Sequence, residues 1–338
     1  MTGGFSIPLR ASYSTATAES VGSFLALRYE LPGPVECTLL HRGFNDSFEV
    51  RAADGQRYVL RFSCQRIRGE ADVASETEFL IYLDQVGVPV SVPVPARDGA
   101  LFTHALLPEG QRPVVLFRHV EGRRPEAGAS TDARAQGVTL ARIHVAAEDY
   151  AGGKACRYRL DLDHLLHRQV AAVLDVKTLE TEIRDRLTAL ASRLSASVAA
   201  VHDLSWTFCH GDCHGNNARI ATEGPRAGQA IFFDFDDGGP GYLAYDLAVY
   251  LWASVFFERQ RSAMWHAFIE GYRSIRSITQ TDFDAVHLFV AIRHIWLMGE
   301  YAGRIAEWGS NAVPTEWLAK QVDVLQAWED EKLFSGLF

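Results

Sequence analysis

Apolar and polar positions alternate along several short segments in the first third of the chain, and a period of two is typical of β-strands with one buried face. These segments cover residues 35–42, 47–53, 57–63 and 114–120. Asp54-Gly55 separates two of them and predicts a hairpin turn, because glycine adopts positive φ without a steric penalty. Gly43 to Asp46 predicts a second tight turn. We therefore expect a small antiparallel sheet near the N-terminus.

A helical period of about 3.6 residues replaces this alternation over residues 71–86, and Gly87 ends the pattern. Helical patterns dominate again after about residue 125 and resume up to the C-terminus. The first three of these later helices are predicted over residues 133–147, 160–174 and 179–200. Most of the second half of the chain is therefore expected to be helical.

One irregular, glycine-rich insert interrupts these helices at residues 206–241. It contains two short apolar runs that resemble strands, at residues 206–209 and 230–235. The fold class predicted from this order is α+β. We expect a β-rich N-terminal lobe over residues 1–119, with one helix, and a larger helical C-terminal lobe over residues 120–338.

Composition narrows the class of protein. The 338 residues include 42 acidic and 33 basic side chains, so the net charge is −9, and such a surface repels a nucleic-acid backbone. The longest apolar run, residues 247–257, has eleven residues, whereas a membrane-spanning helix needs about 20. The N-terminus shows no secretory pattern, and five scattered cysteines do not form a disulfide framework. We expect a cytoplasmic protein that binds neither nucleic acid nor membranes.

The insert carries the candidate chemistry in two loops, residues 209–217 and 232–239, each of which follows an apolar run. The first loop contains Asp212 and Asn217, and the second contains Asp234. Carboxylate and amide oxygens are ligands that Mg²⁺ accepts, and a further carboxylate can orient an acceptor hydroxyl. These residues therefore predict a phosphoryl-transfer site.

Three motifs in a fixed order make this prediction more specific. They are His210-Gly211-Asp212-x-His214-x-x-Asn217, Asp234-Phe235-x-Asp237 and Tyr245-Asp246-Leu247-Ala248. Together they resemble the signature of the aminoglycoside phosphotransferase and choline kinase superfamily over roughly residues 30 to 300. Within it, the spacing looks closest to the branch of the bacterial stress-response Ser/Thr kinase and homoserine-kinase-like proteins. The resemblance implies a protein-kinase-like, two-lobed fold with ATP and Mg²⁺ as cofactors.

The resemblance also implies roles for residues of the insert. Asp212 matches the catalytic aspartate that faces the acceptor hydroxyl. Asn217 and Asp234 match the two metal ligands. Asp246 matches a buried aspartate that supports the catalytic loop without taking part in the chemistry.

In the N-terminal lobe, the resemblance implies a set of nucleotide-binding residues. Arg61 falls where the family places a phosphate-contacting cation, often lysine, and Glu76 matches its acidic partner. Residues 43–47 resemble the turn that covers the phosphates, and residues 117–120 match the hinge that contacts adenine. The candidate cofactor-binding residues are therefore Arg61, Glu76, Gly43, Asn45, Ser47, Phe117 and His119.

The predicted function is transfer of the γ-phosphate of ATP to a hydroxyl of a small metabolite or antibiotic. One alternative is a kinase that acts on serine or threonine of a protein or peptide. Another is a pseudokinase that binds nucleotide without turnover, because Arg61 departs from the usual lysine. The identity of the acceptor, the preference for ATP over GTP and the oligomeric state are not readable from the sequence.

Two further interpretations compete at individual residues. Cys209, His210, Cys213 and His214 have the composition of a zinc site, although the neighbouring glycines argue against the helix that would place both imidazoles on one face. Arg61 can equally be an exposed strand residue. In a late helix, Arg293, His294 and Glu300 are candidates to line the acceptor pocket or to lie on the helix surface.

Overall fold

The first sheet is antiparallel, and its five strands lie in the spatial order Glu36–Arg42, Asp46–Arg51, Arg57–Phe62, Gly110–Arg118 and Thr103–Leu107. The computed structural model describes residues 9–64, 68–152, 156, 158–256 and 261–330. Within them the chain divides into two compact units, one from Met1–Glu70 and Pro93–His119 and the other from Ala71–Val92 and Val120–Phe338. The segment 71–92 thus groups with the second unit, whereas the sequence-based division places it in the N-terminal lobe.

The first unit consists of the sheet and one helix. Its elements are α1 (Ala18–Arg28), β1 (Glu36–Arg42), β2 (Asp46–Arg51), β3 (Arg57–Phe62), β4 (Thr103–Leu107) and β5 (Gly110–Arg118). Gly55, in the turn between β2 and β3, has φ of 85°, which confirms the predicted hairpin. The predicted strands are found within one to four residues of their expected ends.

Alternation along β3 decides which side chains enter the core of this unit. Leu60 and Phe62 belong to an apolar cluster with Val21 and Leu25 of α1. Arg61 therefore points to the opposite face of the sheet, since successive side chains of a strand alternate between faces. Arg61 is nevertheless only 3% exposed. The interpretation of Arg61 as an exposed strand residue is wrong.

The second unit is mainly helical. Its helices are α2 (Glu70–Gln85), α3 (Ser130–Glu148), α4 (Arg168–Leu174, preceded by a π-helical turn at Asp163–His167), α5 (Thr181–Ala199), α6 (Leu243–Phe256), α7 (Arg261–Arg273), α8 (Gln280–Ala302), α9 (Ile305–Trp308) and α10 (Thr315–Asp330). α3 packs against α7, and α8 packs against both α4 and α6. α6 contains most of the apolar run 247–257, and Leu247, Val249 and Leu251 are fully buried. Among the described helices, none combines the length and apolar character needed to cross a membrane.

Two short strand pairs between α5 and α6 support the candidate site. β6 (Trp206–Cys209) pairs with β9 (Gly239–Tyr242), and β7 (Ala218–Ile220) pairs with β8 (Ala230–Phe232), both antiparallel. β6 and β8 confirm the two apolar runs predicted in the insert. The loop from β6 to β7 and the turn after β8 carry the acidic and amide side chains of the first two motifs.

Candidate active site

Asp246, at the start of α6, holds the loop between β6 and β7 in place. Its buried carboxylate accepts hydrogen bonds from the backbone N–H groups of His210 (2.7 Å) and Gly211 (2.8 Å). A third hydrogen bond joins it to Nε2 of His144 on α3 (2.9 Å), and its backbone carbonyl accepts from the Cys213 thiol (3.0 Å). Three separate segments of the chain therefore meet at one buried carboxylate, as expected for a structural support of the loop.

Gly211 makes the close approach of the two functional loops feasible. Its φ is 82°, and a Cβ at this position would lie 1.9 Å from the carbonyl oxygen of Asp237. The Phe235–Gly238 turn, closed by a 2.8 Å backbone hydrogen bond, packs directly against this point. Any side chain at position 211 would separate the loop that carries Asp212 from the turn that follows Asp234.

His210 joins the two loops through its buried ring. Nδ1 accepts a hydrogen bond from the backbone N–H of Asp212 (3.2 Å), and Nε2 donates to the carbonyl of Phe233 (3.1 Å). A neutral imidazole has one acceptor and one donor nitrogen, so it satisfies both contacts. Burial lowers the pKa of His210, which favours this neutral form. The ring therefore fixes the geometry of the site and is not placed to transfer a proton.

Asp212 lies at the centre of a network of cations and amides. Oδ1 contacts the guanidinium of Arg293, while Oδ2 accepts from Nδ2 of Asn217 (2.8 Å) and lies 3.3 Å from Nε2 of His214. Nδ2 of Asn217 also donates to the backbone carbonyl of Asp212 (3.0 Å). The side chain keeps 16% of its surface exposed, so a substrate can still reach it.

The charges around Asp212 fix its ionisation. Burial acts to raise the pKa of Asp212, but the nearby charges of His214 and Arg293 outweigh it and hold the pKa well below its usual range. The pKa of His214 is raised, because attraction to Asp212 exceeds the effect of burial. Asp212 is therefore a carboxylate throughout the physiological range of pH. Such a group accepts a hydrogen bond well and is a weak base.

Arg293 of α8 is the residue that sequence analysis left undecided and that the structure places in the site. It is 3% exposed, and its guanidinium lies 5.0 Å from the ring centroid of Trp252 and 4.2 Å from that of Trp296. Its Nη1 donates to the hydroxyl of Tyr245 (3.2 Å). A signal was present in the sequence, because Arg293 interrupts the apolar run of α8 three residues before Trp296. The sequence could not show which residue it contacts.

The other two candidates in α8 do not contact Asp212. His294 accepts from Nε1 of Trp252 (3.1 Å) and lies 3.1 Å from Oε1 of Gln321, and burial lowers the pKa of this histidine to about 4. Glu300 accepts from Nε2 of Gln169 (3.1 Å). These contacts all join α8 to other helices of the second unit.

Asn217 and Asp234 lie at the same end of the β7–β8 pair. Asn217 directly precedes β7, Asp234 follows β8 by two residues, and the backbone N–H of Phe233 donates to the carbonyl of Asn217 (3.1 Å). Asp234 is exposed and has φ of 65°, a left-handed conformation that few residues adopt. Its negative charge contributes to the raised pKa of His214, which places it near the Asp212 network.

This donor set fits Mg²⁺. Both hydrogens of the Asn217 amide are used by Asp212, so its amide oxygen is available as a ligand, and the exposed carboxylate of Asp234 belongs to the same end of the β7–β8 pair. These are two hard oxygen donors, and Mg²⁺ is commonly held by one or two such side chains together with phosphates and water. Within the described ranges, no group of three or more histidine, cysteine, aspartate and glutamate side chains could hold a metal by itself.

The zinc interpretation does not fit the same region. Cys209 and Cys213 are fully buried, and their thiols donate to the carbonyls of Tyr242 (3.5 Å) and Asp246 (3.0 Å). Burial raises the pKa of both thiols well above the usual value, whereas zinc is bound by thiolates. Both cysteines are therefore packed as thiols of the core.

The first unit brings together most of the predicted nucleotide-binding residues. In the sheet register, Arg61 of β3 lies between Ser47 and Val115, and its guanidinium is 5.1 Å from the ring centroid of Phe117. In the preceding turn, the backbone N–H of Gly43 donates to the Asn45 carbonyl (3.2 Å). That turn is tied to the end of β3, because Oδ1 of Asn45 accepts from the N–H of Cys64 (3.1 Å).

Of the remaining two predicted residues, His119 ends the first unit and Glu76 belongs to the second. His119 follows β5, and its backbone N–H donates to the carbonyl of Arg57 (3.1 Å). Glu76 is buried on α2, in the second unit. Its pairing with Arg61 stays a prediction.

Three features of this chain are typical of kinase-like phosphotransferases. An amide orients the Asp212 carboxylate, Asn217 and Asp234 offer oxygen donors suited to a metal ion, and a five-stranded sheet is combined with a helical unit. A model of the phosphotransferase enzyme family matches residues 36–278, which is most of the chain. The protein therefore belongs to this family and is a phosphotransferase. The resemblance stated from the three motifs is confirmed.

Relatives extend this similarity over nearly the whole chain. An uncharacterized protein of Deinococcus radiodurans is 36% identical over 324 residues, which cover 95% of this chain and 92% of that one. A homoserine kinase of Hyphomonas neptunium is 24% identical over 310 residues, which cover 89% of this chain and 90% of that one. The second match agrees with the homoserine-kinase-like part of the resemblance.

Solved structures confirm the kinase-like fold. The amicoumacin kinase hAmiN, solved with AMP-PNP, Ca²⁺ and amicoumacin, has a TM-score of 0.75 at 18% identity, covering 93% of both chains. A microcompartment-associated aminopropanol kinase has a TM-score of 0.74 at 20% identity, covering 93% of this chain and 98% of that one.

Proposed function

We propose that this protein transfers the γ-phosphoryl group of ATP to a hydroxyl group of a small molecule, with Mg²⁺ held by Asn217 and Asp234. One observation carries the proposal. The amide of Asn217 donates both hydrogens to Asp212, so that its oxygen is left for a metal at the end of the β7–β8 pair where Asp234 also lies. Bound Mg²⁺ would supply charge neutralisation for the phosphates.

Asp212 would receive the acceptor hydroxyl. Each carboxylate oxygen has two lone pairs, and the contacts with Arg293, Asn217 and His214 leave room for one more donor on a side chain that is still partly exposed. The hydroxyl proton would pass to Asp212 as the hydroxyl oxygen bonds to the γ-phosphorus and the bond from that phosphorus to the β,γ-bridging oxygen breaks, which releases ADP. Because Asp212 is a weak base, its main contribution is to orient the hydroxyl, which suffices when the transition state is loose and needs little nucleophilic activation.

Arg293 and His214 would keep Asp212 ionised and hold its carboxylate in one orientation. Both side chains contact the carboxylate, Arg293 through its guanidinium and His214 through Nε2 (3.3 Å). The guanidinium of Arg293 is buried and lies against the rings of Trp252 and Trp296, which would limit its movement. This pre-organisation lowers the cost of aligning the acceptor.

The first unit would supply the nucleotide contacts. Arg61 is a buried cation on the face of the sheet opposite α1, and it lies over Phe117. An arginine can neutralise phosphate and form two parallel hydrogen bonds to it. The turn at residues 43–47 and the backbone after Phe117 are the proposed contacts to phosphates and adenine.

A small-molecule acceptor is favoured over a protein. The amicoumacin kinase, the aminopropanol kinase and the homoserine kinase that resemble this chain are each named for a small-molecule acceptor. The similarity to these proteins extends over most of their length. We therefore extend the same class of acceptor to this protein without assigning one compound.

The test is an acceptor screen with γ-labelled ATP and Mg²⁺. It would include amino alcohols such as homoserine, 1-amino-2-propanol and choline, several aminoglycosides, and a mixture of unstructured proteins. Asp212→Asn serves as the inactive control. Label transfer to a small alcohol supports the proposal, and transfer only to protein side chains supports the alternative kinase. A protein that binds nucleotide, transfers label to none of the acceptors and does not hydrolyse ATP would be a pseudokinase.

A further inference from the structure

A cavity of about 200 Å³ lies within the second unit, beside the catalytic loop. Its wall is formed by the segment 124–129, the first turns of α3, the end of α6 and residues Gly215 and Asn216. Asp212, Asn217 and Asp234 are not among the residues that line it. The cavity is therefore separate from the side chains proposed to carry out phosphoryl transfer.

Gln136 of α3 presents an unused hydrogen-bond donor to this cavity. The side chain lines the cavity and is 2% exposed, and among the described residues its Nε2 finds no acceptor. A Cβ built on Gly215, on the same wall, would lie 3.8 Å from that nitrogen, so glycine leaves the space in front of it open. Buried donors without partners are rare in folded proteins, and each calls for an explanation.

The N-terminus of α3 adds a positive potential at the same place. α3 has 19 residues, and Ala129 at its N-cap supplies no side-chain acceptor for the N–H groups of the first turn. Ala129 lines the cavity, and so does Arg124. A helix N-terminus with free N–H groups attracts anionic groups.

The acidic groups near the cavity already have cationic partners. Asp132 is held by Arg123, whose Nη2 donates to its Oδ1 (2.8 Å). Glu126, which also lines the cavity, lies 3.7 Å from the same guanidinium. Because both carboxylates share the single guanidinium of Arg123, these two acids together with Arg123 and Arg124 carry no net charge, and the start of α3 supplies the remaining positive potential.

We propose that this cavity is a binding site for a small molecule that carries a carboxylate or phosphate group. An oxygen of that group accepts from Nε2 of Gln136, and its charge faces the start of α3 and Arg124. The ligand also touches Gly215 and Asn216, and Asn216 directly precedes the proposed metal ligand Asn217. Its binding is therefore coupled to the catalytic loop, independently of which acceptor the enzyme phosphorylates. An ordered water molecule is the simplest competing occupant.

The test uses the full chain saturated with Mg²⁺ and AMP-PNP, so that nucleotide phosphates do not compete. Inorganic phosphate and acetate are titrated separately by calorimetry, which distinguishes the two oxyanions. We expect saturable binding of at least one of them, with one anion per chain. Gln136→Glu should weaken it about tenfold or more, because the new carboxylate opposes an anion. Gln136→Met should weaken it by loss of the donor alone.

Gln280→Glu is the matched control, because it adds the same charge at an exposed position of α8 and should leave the titration unchanged. Crystals soaked in arsenate provide the second measurement, since an anomalous peak within hydrogen-bond distance of Gln136 locates the anion directly. The proposal is overturned if neither anion binds saturably, or if both Gln136 variants bind like the wild type. It is equally overturned if the crystal shows only water at Nε2.

Discussion

Arg293 and Asp212 form a buried contact between residues 81 positions apart in the chain. The guanidinium contacts the rings of Trp252 and Trp296, and the carboxylate accepts a hydrogen bond from Nδ2 of Asn217 through its other oxygen. A buried ion pair contributes little net stability on its own, but removal of one partner leaves a charge without compensation. We therefore expect the pair to fix the direction and charge of the Asp212 carboxylate more than it stabilises the fold.

Replacement of Asp212 should lower the rate of phosphoryl transfer without weakening nucleotide binding. Asp212→Asn and Asp212→Ala should leave ATP binding nearly intact, and turnover should fall by roughly 10²–10⁴ because the acceptor hydroxyl loses its oriented partner. Steady-state rates and nucleotide affinity of both variants check this expectation. Near-wild-type turnover in either variant would remove Asp212 from the catalytic role.

Replacement of Arg293 should change the pH dependence of the reaction. The pKa of Asp212 is held low partly by Arg293, and Arg293→Met removes that charge while burial, which raises the pKa, remains. The acid limb of the profile of kcat against pH should therefore move to higher pH. The variant should also lose about 3 kcal/mol of stability, near the lower end for a broken buried pair.

Arg304→Met is the matched control for this experiment. Arg304 is also a buried arginine, near the end of α8, and it pairs with Glu307 (2.8 Å) and lies 6.0 Å from the Trp308 ring centroid. Its loss should lower stability without moving the acid limb. If both variants give the wild-type pH profile, Arg293 acts only on the fold.

We expect the effect of replacing Asp234 on nucleotide binding to depend on Mg²⁺. Asp234→Asn should weaken nucleotide binding when Mg²⁺ is present and have little effect in EDTA, because the lost charge faces the metal. Asparagine is the better replacement, since it tolerates the left-handed backbone at φ of 65° and alanine does so poorly. Titration calorimetry under both conditions gives the comparison. Equal affinities of the wild type with Mg²⁺ and with EDTA would show that the metal assignment is wrong.

Alanine substitutions at two glycines with almost the same φ can distinguish the cost of backbone strain from the cost of a steric clash. Gly55 has φ of 85°, and a Cβ added there would have nothing within 4 Å, while Gly211 has φ of 82° and a carbonyl oxygen at 1.9 Å from such a Cβ. Gly55→Ala should cost about 1–2 kcal/mol through backbone strain alone. Gly211→Ala should cost more and abolish activity, as measured by denaturant unfolding and turnover. Equal losses in both variants would mean that the two functional loops are not packed against each other.

Arg61 should respond to substitution as a phosphate-binding cation. Arg61→Lys keeps the charge and should retain partial activity, whereas Arg61→Ala should raise the KM for ATP much further, and Glu76→Gln should fall between them. Arg112→Lys is the control, because Arg112 is also buried in the first unit but donates to the carbonyls of Phe62 and Ser63 (both 2.8 Å). It should affect stability and leave the KM for ATP unchanged. Wild-type kinetics in all the Arg61 and Glu76 variants would exclude the assignment.

The sequence predicted the loops of the site better than it predicted their surroundings. Asp212 and Asn217 lie five residues apart in one motif, so their contact is local, and the structure shows it. Helix α1 was not predicted, because only Val21 and Leu25 of its residues are buried while Leu27 is 72% exposed, and its pattern is therefore weak. The partner of Arg293 could not be predicted either, since a contact between distant segments leaves no spacing to read.

The hydrogen bonds of the Asp246 carboxylate should restrict the motions of the loop between β6 and β7. Loops usually open and close locally, and their amide hydrogens exchange with solvent far faster than those of the core. Here the amide hydrogens of His210 and Gly211 are bound by a carboxylate of α6, which is itself bound by His144 of α3. We therefore expect these two amides to exchange with solvent at rates close to those of the helical core. Anchored in this way, the loop would keep one conformation whether or not a substrate is bound.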